Sequence, residues 1–304
     1  MPTVDALRIA PDTERALRAG RPVVALESAV ITHGLPRTAA LDAVRRQWTA
    51  CEEAGAYPSV VAVYQGDLRV GLTIDECTLL AERADAVKVS PWNLAPTIST
   101  SGFGGTTVAA TVLAAALAGI RVVCTGGIGG VHPGACGVDV SADLTELSRR
   151  QVCVVCAGPK STLDAGATLE RLETLGVPVI GWRSSLLAGF LAVSAGLRVP
   201  ARVDTIDALA SIAMQHWSIG GAGLVVSQPL SGELAITAGE LSADGEAPVR
   251  GPGRTPAELK QLQSRLGDRV ISANVALLER NASLAGSLAA ALSQLAPAVA
   301  SKRG

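Results

Sequence analysis

QVCVVCAGPKSTLD, residues 151–164, is the stretch of sequence that decides the fold. Its apolar run, residues 152–156, is rich in valine and is typical of a strand buried on both faces of a sheet. A turn of small residues follows, and Lys160 comes after that turn and before a helix-like segment. In α/β proteins, ligands bind beyond the carboxyl ends of the strands, where such turns lie. We therefore expect Lys160 to lie at a ligand site.

Lysine is rare in this chain. Of the 26 Lys and Arg residues only four are lysines, and two of them, Lys88 and Lys160, come at or just after strand-like apolar runs. A partly desolvated lysine can lose its proton and form an imine with a carbonyl, which arginine cannot do. A lysine in this position can also cap a strand or pair with a carboxylate. The residues alone leave both interpretations open.

The composition excludes several classes of function. The chain has 304 residues, 48% of them hydrophobic, and a formal net charge of −1, so it can bury a large core and has no excess of positive charge for nucleic acid. Aromatic residues make up only 3% of the chain, too few for a surface that stacks bases. The N-terminal residues lack the pattern of a signal peptide, and residues 108–120 are too short to span a bilayer. We expect a cytoplasmic protein without a membrane segment.

Strand-like and helix-like segments alternate along the whole chain, without a linker between them. This alternation predicts an α/β fold in which residues 1–304 form one three-layer α/β/α sandwich with a mostly parallel central sheet. Residues 5–19 are predicted to be helical, and residues 29–36 to form a loop. Residues 184–200 are predicted to form a lid or a domain-edge loop. Residues 242–255 are rich in Gly, Pro and Arg and are predicted to form an exposed loop.

Two glycine-rich stretches predict places where the backbone approaches a ligand. Residues 101–107, SGFGGTT, lead into a helix, and backbone N–H groups with the hydroxyls of Thr106 and Thr107 suit a phosphate there. Close packing explains such a helix entry about as well. Residues 125–130, TGGIGG, precede His132. The dinucleotide-binding fingerprint does not fit the first stretch, because no strand-like run precedes it.

Three carboxylates follow the predicted strands or precede a helix. Glu27 ends the apolar run VVALE, and Asp139 lies among small residues before Ser141, a good helix N-cap. Asp139 could hold a hard ion such as Mn²⁺ or Mg²⁺ through water molecules. Asp143, in the first helical turn, has a simpler explanation, because an acid there complements the helix dipole.

Six cysteines raise the alternative of a metal or disulfide site. Cys153 and Cys156 have the spacing of a metal-binding pair, but residues three apart on a strand point to opposite faces of the sheet. We therefore expect reduced cysteines in the core.

Seven motifs occur in an order that resembles the pseudouridine-5'-phosphate glycosidase family, also called the indigoidine synthase A type. They are VVALES, THGLP, GGTTVAAT, CTGGIGGVH, DVSADL, VVCAGPKSTLD and, near the end, SAN at residues 272–274. The resemblance covers about residues 20–285. It implies an α/β/α fold, a homotrimer, and a reversible reaction with Mn²⁺ that joins or breaks the C–C bond between ribose 5-phosphate and uracil.

The resemblance also implies a role for individual residues. It makes Lys160 the nucleophile that forms a Schiff base, Glu27 the proton donor, and Asp139 the protein ligand of one largely water-coordinated Mn²⁺. The residues that it implies in substrate binding are Lys88, Thr107, Val108, His132, Ser141, Ala142, Asp143 and Asn274. This chemistry suits a C–C bond, because such a bond has no leaving oxygen for a pair of carboxylates to protonate.

Several positions depart from the family pattern. Residues 90–94 are SPWNL where the family has segments such as SRRDL, Phe103 interrupts a glycine run, and Pro133 stands where arginine is common. Residues 135–138 form a shortened segment, and TPAEL, residues 255–259, replaces TPFLL. The substitutions by Pro, Trp and Phe favour a carbon nucleophile flatter and more apolar than uracil, although sequence drift would also produce them.

Our main hypothesis is therefore C-ribosylation of an aromatic acceptor in secondary metabolism, with ribose 5-phosphate and a carbon nucleophile as partners. The alternative enzyme is an ordinary pseudouridine-5'-phosphate glycosidase. A binding or scaffold protein without activity is a third hypothesis. An oxidoreductase that uses a nucleotide cofactor is disfavoured, because the chain has no complete fingerprint for one.

Overall fold

A mostly parallel sheet forms the centre of the computed structural model, which describes residues 6–134, 139–241 and 254–300. The strands in those ranges are β1 (Leu7–Ile9), β2 (Val23–Leu26), β3 (Tyr57–Tyr64), β4 (Asp67–Leu72), β5 (Val87–Val89), β6 (Gly104–Thr106), β7 (Val122–Cys124), β8 (Cys153–Cys156), β9 (Val179–Trp182), β10 (Ala201–Val203) and β11 (Leu224–Ser227).

The helices in the same ranges are α1 (Pro11–Arg18), α2 (Arg37–Glu53), α3 (Ile74–Glu82), α4 (Leu94–Ser99), α5 (Val108–Ala118), α6 (Ala142–Leu147), α7 (Ala165–Thr174), α8 (Ile206–Ser218), α9 (Ala238–Leu241), α10 (Arg254–Leu266) and α11 (Asp268–Ala300). A turn of π-helix covers Val30–Gly34.

The strand order is β1-β4-β3-β2-β7-β8-β11-β9-β10, with β6 beside β3 and β5 beside β6. Only β3 runs antiparallel to neighbours, namely β4 and β6, and the other pairings among the described strands are parallel. Strands β2, β7 and β8 are adjacent, so the residues that follow them meet at one edge of the sheet.

Apolar side chains on the two faces of the sheet form two separate core clusters. On β8, Cys153 and Val155 pack with residues of α2, α8 and α11, whereas Val154 and Cys156 pack with residues of α1, α5, α6 and α7. Helices therefore cover both faces, which confirms the predicted α/β class with its mostly parallel sheet. The two cysteines lie in opposite clusters, and all five cysteines in the described ranges are free thiols.

Two sequence predictions about local structure were wrong, and one strand was missed. Residues 7–9 of the predicted first helix form β1, because they pair with β4. Residues 30–34 of the predicted loop form the π-helical turn. Residues 104–106 of the glycine-rich stretch form β6 between β3 and β5. Pairing partners far away in sequence decide the two strands, so local patterns could not reveal them.

The two predicted loops have different outcomes. Residues 184–200 are irregular, but Leu187, Ala188, Phe190 and Leu191 are buried, so this segment is part of the packed protein rather than a simple lid. Residues 242–253 of the other loop lie outside the described residues, as does the shortened segment 135–138, and residues 254 and 255 begin α10. A single domain over residues 1–304 stays a prediction. None of the helices in the described ranges has the length and apolar character that crossing a bilayer requires.

Candidate active site

Two cavities meet at the carboxyl edge of the sheet, and Glu27, Lys88 and Lys160 line both of them. The large cavity has a volume of about 360 Å³, and the predicted residues in its wall are Glu27, Lys88, Thr107, Val108, His132, Asp139, Ser141, Ala142, Asp143 and Lys160. The small cavity has a volume of about 50 Å³, and Asn274 lies in its wall. The fold therefore brings together all eleven residues to which the family resemblance gives a role, although those roles stay predictions.

Lys160 is placed by a turn that only glycine can make. Gly158 has a φ of +86°, and a Cβ at this position would lie 2.1 Å from the carbonyl oxygen of Ala188. Beyond the turn, the backbone N–H of Lys160 donates a hydrogen bond to the oxygen of Ile128 (3.1 Å). The loops after β7 and β8 are thus joined by their backbones, and the lysine side chain extends to the boundary of the two cavities.

Glu27 is a buried carboxyl at the end of β2, with an exposed fraction of 8%. Burial raises its pKa above the usual value of 4.5, while the positive charge of Lys160 and a hydrogen bond donated by the Thr125 hydroxyl oppose the shift. The carboxyl therefore keeps its proton to a higher pH than an exposed glutamate does, which suits a group that gives and takes protons.

Lys88 lies on β5 and is half-buried. Burial lowers its pKa, and the positive charge of Lys160 lowers it further, while Asp143 and Glu27 act in the opposite direction. Burial also lowers the pKa of His33, and the positive charge of Lys88 lowers it further. The two lysines and the two carboxylates therefore interact electrostatically across the boundary between the cavities.

Asp143 holds two parts of the site together. One of its carboxylate oxygens accepts a hydrogen bond from the N–H of Ala109, in the first turn of α5 (2.8 Å), and the other accepts one from the N–H of Gly129 (2.7 Å). An internal carboxylate thus occupies part of the α5 N-terminus that the sequence predicted for a phosphate. The structural explanation of Asp143 holds, but its carboxylate also complements α5 rather than only its own helix.

The two threonines before α5 differ in their surroundings. The hydroxyl of Thr106 is buried and donates to the oxygen of Val61 (2.7 Å), so it is not available to a phosphate. Thr107 is the N-cap of α5 and lines the large cavity. Ser141 is the N-cap of α6, as the sequence predicted.

Asp139 lies half-buried in the wall of the large cavity, and its backbone oxygen accepts a hydrogen bond from the N–H of His132 (3.0 Å). Within the described ranges, no three His, Cys, Asp or Glu side chains come together as a metal site would need. One carboxylate in a polar cavity fits a hard ion that keeps most of its water ligands, such as Mn²⁺ or Mg²⁺, and does not fit a closed zinc site.

Comparisons with known proteins show the family and agree with the fold. The family model described as "Indigoidine synthase A like protein" matches residues 12–291. The chain belongs to the indigoidine synthase A-like family. Curated relatives in this family include the pseudouridine-5'-phosphate glycosidases of Sorangium cellulosum (42% identity, 96% of this chain and 95% of the relative) and Gemmatimonas aurantiaca (43% identity, 93% of this chain and 95% of the relative).

Two solved structures resemble the chain over nearly its whole length. An indigoidine synthase A-like protein from Thermotoga maritima has a TM-score of 0.85 and 36% identity, over 90% of this chain and 94% of that protein. The prealnumycin C-glycosynthase AlnA, solved in complex with ribulose 5-phosphate, has a TM-score of 0.88 and 33% identity, over 97% of this chain and 100% of that protein.

The departures from the family pattern do not all lie at the site. Trp92 lines the large cavity and is 71% exposed, so it stands at the opening. Phe103 lines neither cavity: its ring packs edge to face against Tyr64 (5.1 Å between centroids) beneath the Arg83 guanidinium. Pro133 is exposed and also lies outside both walls. Only Trp92 among these three substitutions can contact a ligand in the two cavities.

Sequence reasoning missed part of the wall of the small cavity. The π-helical turn contributes Val30 and His33, and the irregular segment contributes Phe190. Phe190 is buried at a φ of +61°, and a Cβ on Gly127 would lie 2.6 Å from its ring. The motif THGLP contains His33, and the motif TGGIGG contains Gly127. No sequence pattern marked Phe190.

Glu27→Gln tests the protonation of the buried carboxyl. Because the pKa of Glu27 is raised in the folded state, the stability from its protonated form is complete below about pH 4.5 and is lost as the pH rises through the folded-state pKa. We expect the free energy of unfolding of the wild type to fall relative to that of Glu27→Gln as the pH rises from 4.5 to 8. Urea denaturation at several pH values measures this difference.

Glu173→Gln, on the exposed surface of α7, is the matched control for the amide exchange. The free energies of unfolding of the wild type and Glu27→Gln are compared at each pH. A difference that stays constant as the pH rises, or that grows in favour of the wild type, would contradict the protonation of Glu27.

Proposed function

We propose that the chain forms or breaks the C–C bond between C1 of ribose 5-phosphate and a carbon of an unsaturated ring, through an imine at Lys160. It is a pseudouridine-5'-phosphate glycosidase-like enzyme, as its relatives indicate. The observation that carries the proposal is the position of Lys160, Glu27 and Lys88 at the boundary of two cavities. A sugar phosphate in the large cavity and a ring in the small cavity would meet at these three groups.

The first step uses the lysine as a nucleophile. Nζ of Lys160 adds to the aldehyde of the opened sugar and water leaves, which gives an iminium at C1. The iminium is electron-poor, so a ring carbon adds to C1 and a C–C bond forms. Glu27 takes the proton that this ring carbon loses. The O4 hydroxyl then displaces the lysine nitrogen and gives it a proton, which closes the sugar and frees Lys160; cleavage is the reverse.

The walls of the large cavity suit the sugar phosphate. Half-buried Lys88, Thr107 at the α5 N-terminus, Ser141 at the α6 N-terminus and His132 offer a cation and donors to phosphate and hydroxyl oxygens. Asp143, in the first turn of α6, holds that helix end against the α5 N-terminus through Ala109 and against the glycine-rich loop through Gly129.

The size of the small cavity bears on the acceptor. At roughly 10–15 Å³ for each water, 50 Å³ holds about four waters, which is close to the space that one small ring needs. Phe190 and Leu278 offer apolar surface, and Asn274 offers an amide that can pair with a ring carbonyl or N–H. A single-ring acceptor fits this space.

We propose an aromatic acceptor of this size, hence C-ribosylation in secondary metabolism. Trp92 supports it, because an indole replaces a charged residue of the family pattern at the opening of the large cavity. The likeness to the C-glycosynthase AlnA also supports it. The second candidate is cleavage of pseudouridine 5'-phosphate to ribose 5-phosphate and uracil, which the names and the 42–43% identity of the relatives favour.

A Mn²⁺ ion held by Asp139 and otherwise by water is proposed as the cofactor. When bound, such an ion supplies positive charge for substrate oxygens. The homotrimer also stays a prediction, for which sedimentation velocity is the measurement, and so does the cytoplasmic location.

Asp139→Asn should weaken Mn²⁺ binding about tenfold or more, because the site has one carboxylate and the amide carries no charge. Titration calorimetry of the purified protein with Mn²⁺ measures this directly. Asp164→Asn, an N-cap of α7 outside both cavities, is the control. Equal affinities in the three proteins would contradict Asp139 as the metal ligand.

Lys160 should be trapped covalently by its sugar. Borohydride added to the enzyme with ribose 5-phosphate reduces the imine, and mass spectrometry of the peptides should locate the adduct at Lys160. Lys160→Arg keeps the cation but cannot form an imine, so it should give no adduct and lose activity by roughly a thousandfold or more. Lys88→Arg leaves the nucleophile in place and should still be trapped. An adduct at Lys88, or none in the wild type, would contradict the proposal.

The rate of uracil release distinguishes C-ribosylation of an aromatic acceptor from cleavage of pseudouridine 5'-phosphate. With pseudouridine 5'-phosphate and Mn²⁺, the aromatic acceptor predicts release about a hundredfold slower than that of the Sorangium cellulosum relative, because the site is built for another ring. Trp92→Arg restores the charge of the family pattern and should speed release. Wild-type release as fast as that of the relative would overturn the aromatic acceptor and establish the second candidate.

A further inference from the structure

A carboxylate lies directly behind His132, and sequence analysis did not assign it. Nδ1 of His132 and Oε2 of Glu258 are 3.8 Å apart, and the two side chains are only 8% and 12% exposed. Both of these atoms are buried. His132 follows the glycine-rich loop after β7, and Glu258 lies on α10, so the fold brings them together over more than a hundred residues.

His132 is the member of the pair that faces the large cavity. The imidazole of His132 lines the large cavity, whereas Glu258 does not. One turn further along α10, Leu262 anchors the helix by packing in one apolar cluster with Phe190 and Leu277. The carboxylate thus stands on a packed helix behind the ring, and the ring stands between the carboxylate and the cavity.

We propose that Glu258 is a positioning residue that holds the His132 ring with Nδ1 toward the carboxylate and Nε2 toward the large cavity. There Nε2 contacts an oxygen of the sugar phosphate; this part rests on the proposed function. A carboxylate that accepts from one ring nitrogen fixes the orientation of the other, as it does for histidines in many sites. The distance is longer than a hydrogen bond, and contacts of this kind often tighten when substrate binds.

The carboxylate of the pair departs from the family pattern. Glu258 occurs in the segment TPAEL, where the family pattern has the apolar TPFLL. An apolar side chain at this position has no acceptor for Nδ1, so it cannot select a ring orientation. Glu258→Leu therefore restores the family residue and removes the carboxylate.

The first test measures binding of ribose 5-phosphate to the full chain by titration calorimetry. We expect Glu258→Leu to weaken binding about tenfold, and Glu258→Gln, which keeps an acceptor oxygen, to retain most of the affinity. Gln261→Ala, exposed on the same helix, is the matched control. In a His132→Gln background, Glu258→Leu should change the affinity less than twofold. An equal effect in both backgrounds would overturn the proposal, because Glu258 would then act without His132.

The second test does not depend on the reaction. The chain has only three histidines, so ¹⁵N-labelled imidazoles give few signals, and His132→Gln identifies the signals of His132. Glu258→Leu should shift both ring nitrogens of His132 and leave His33 and His216 unchanged. Unchanged His132 signals would overturn the proposal. Failure to trap a sugar at Lys160 would overturn the proposed function and leave this result standing.

Discussion

The site depends on the electrostatic interactions among two lysines, Lys88 and Lys160, and two acidic residues, Glu27 and Asp143. The positive charge of Lys160 lowers the pKa of Lys88, and the charges of Asp143 and Glu27 act in the opposite direction. Glu27 itself is desolvated and favours its protonated form. Removing the Asp143 carboxylate would leave the two lysine charges less compensated in a partly dry cavity, which is costly. The four groups therefore act as one electrostatic unit, and the strand order β2-β7-β8 places two of them, Glu27 and Lys160, at one edge of the sheet.

Asp143 shows how the protein prepares this unit before any ligand arrives. Its carboxylate accepts hydrogen bonds from N–H groups of α5 and of the glycine-rich loop. Without Asp143, these two N–H groups would be available to an anion. Gly129 allows this approach, because a Cβ there would lie 2.3 Å from the Ser141 hydroxyl oxygen. Part of the apparent phosphate cradle is thus filled from within. The remaining donors are held in fixed positions, which is what preorganised electrostatic stabilisation requires.

The site could be predicted where local sequence determines position. Lys160 follows a buried valine-rich strand and a turn, and Glu27 ends another strand, so parallel pairing alone brings both to one edge. Residues whose positions depend on distant packing could not be predicted. Phe190 reaches the small cavity only because residues 184–200 fold back on β8, and Glu258 meets His132 only through the packing of α10. The same reason explains why β1 and β6 were missed, since their partners are far away in sequence.

Phe190 also determines which changes could alter the small cavity. Its backbone has a positive φ, its N–H is bonded to Ala157, and its ring rests against Gly127 without room for a methyl group. The main-chain geometry therefore fixes this wall of the small cavity. Replacing Phe190 would disturb the local backbone as well as change the width of the cavity. Val30 and Leu278, on the π-helical turn and on α11, lie in regular elements. Natural divergence or laboratory evolution toward a wider ring has its least damaging route through these two aliphatic side chains.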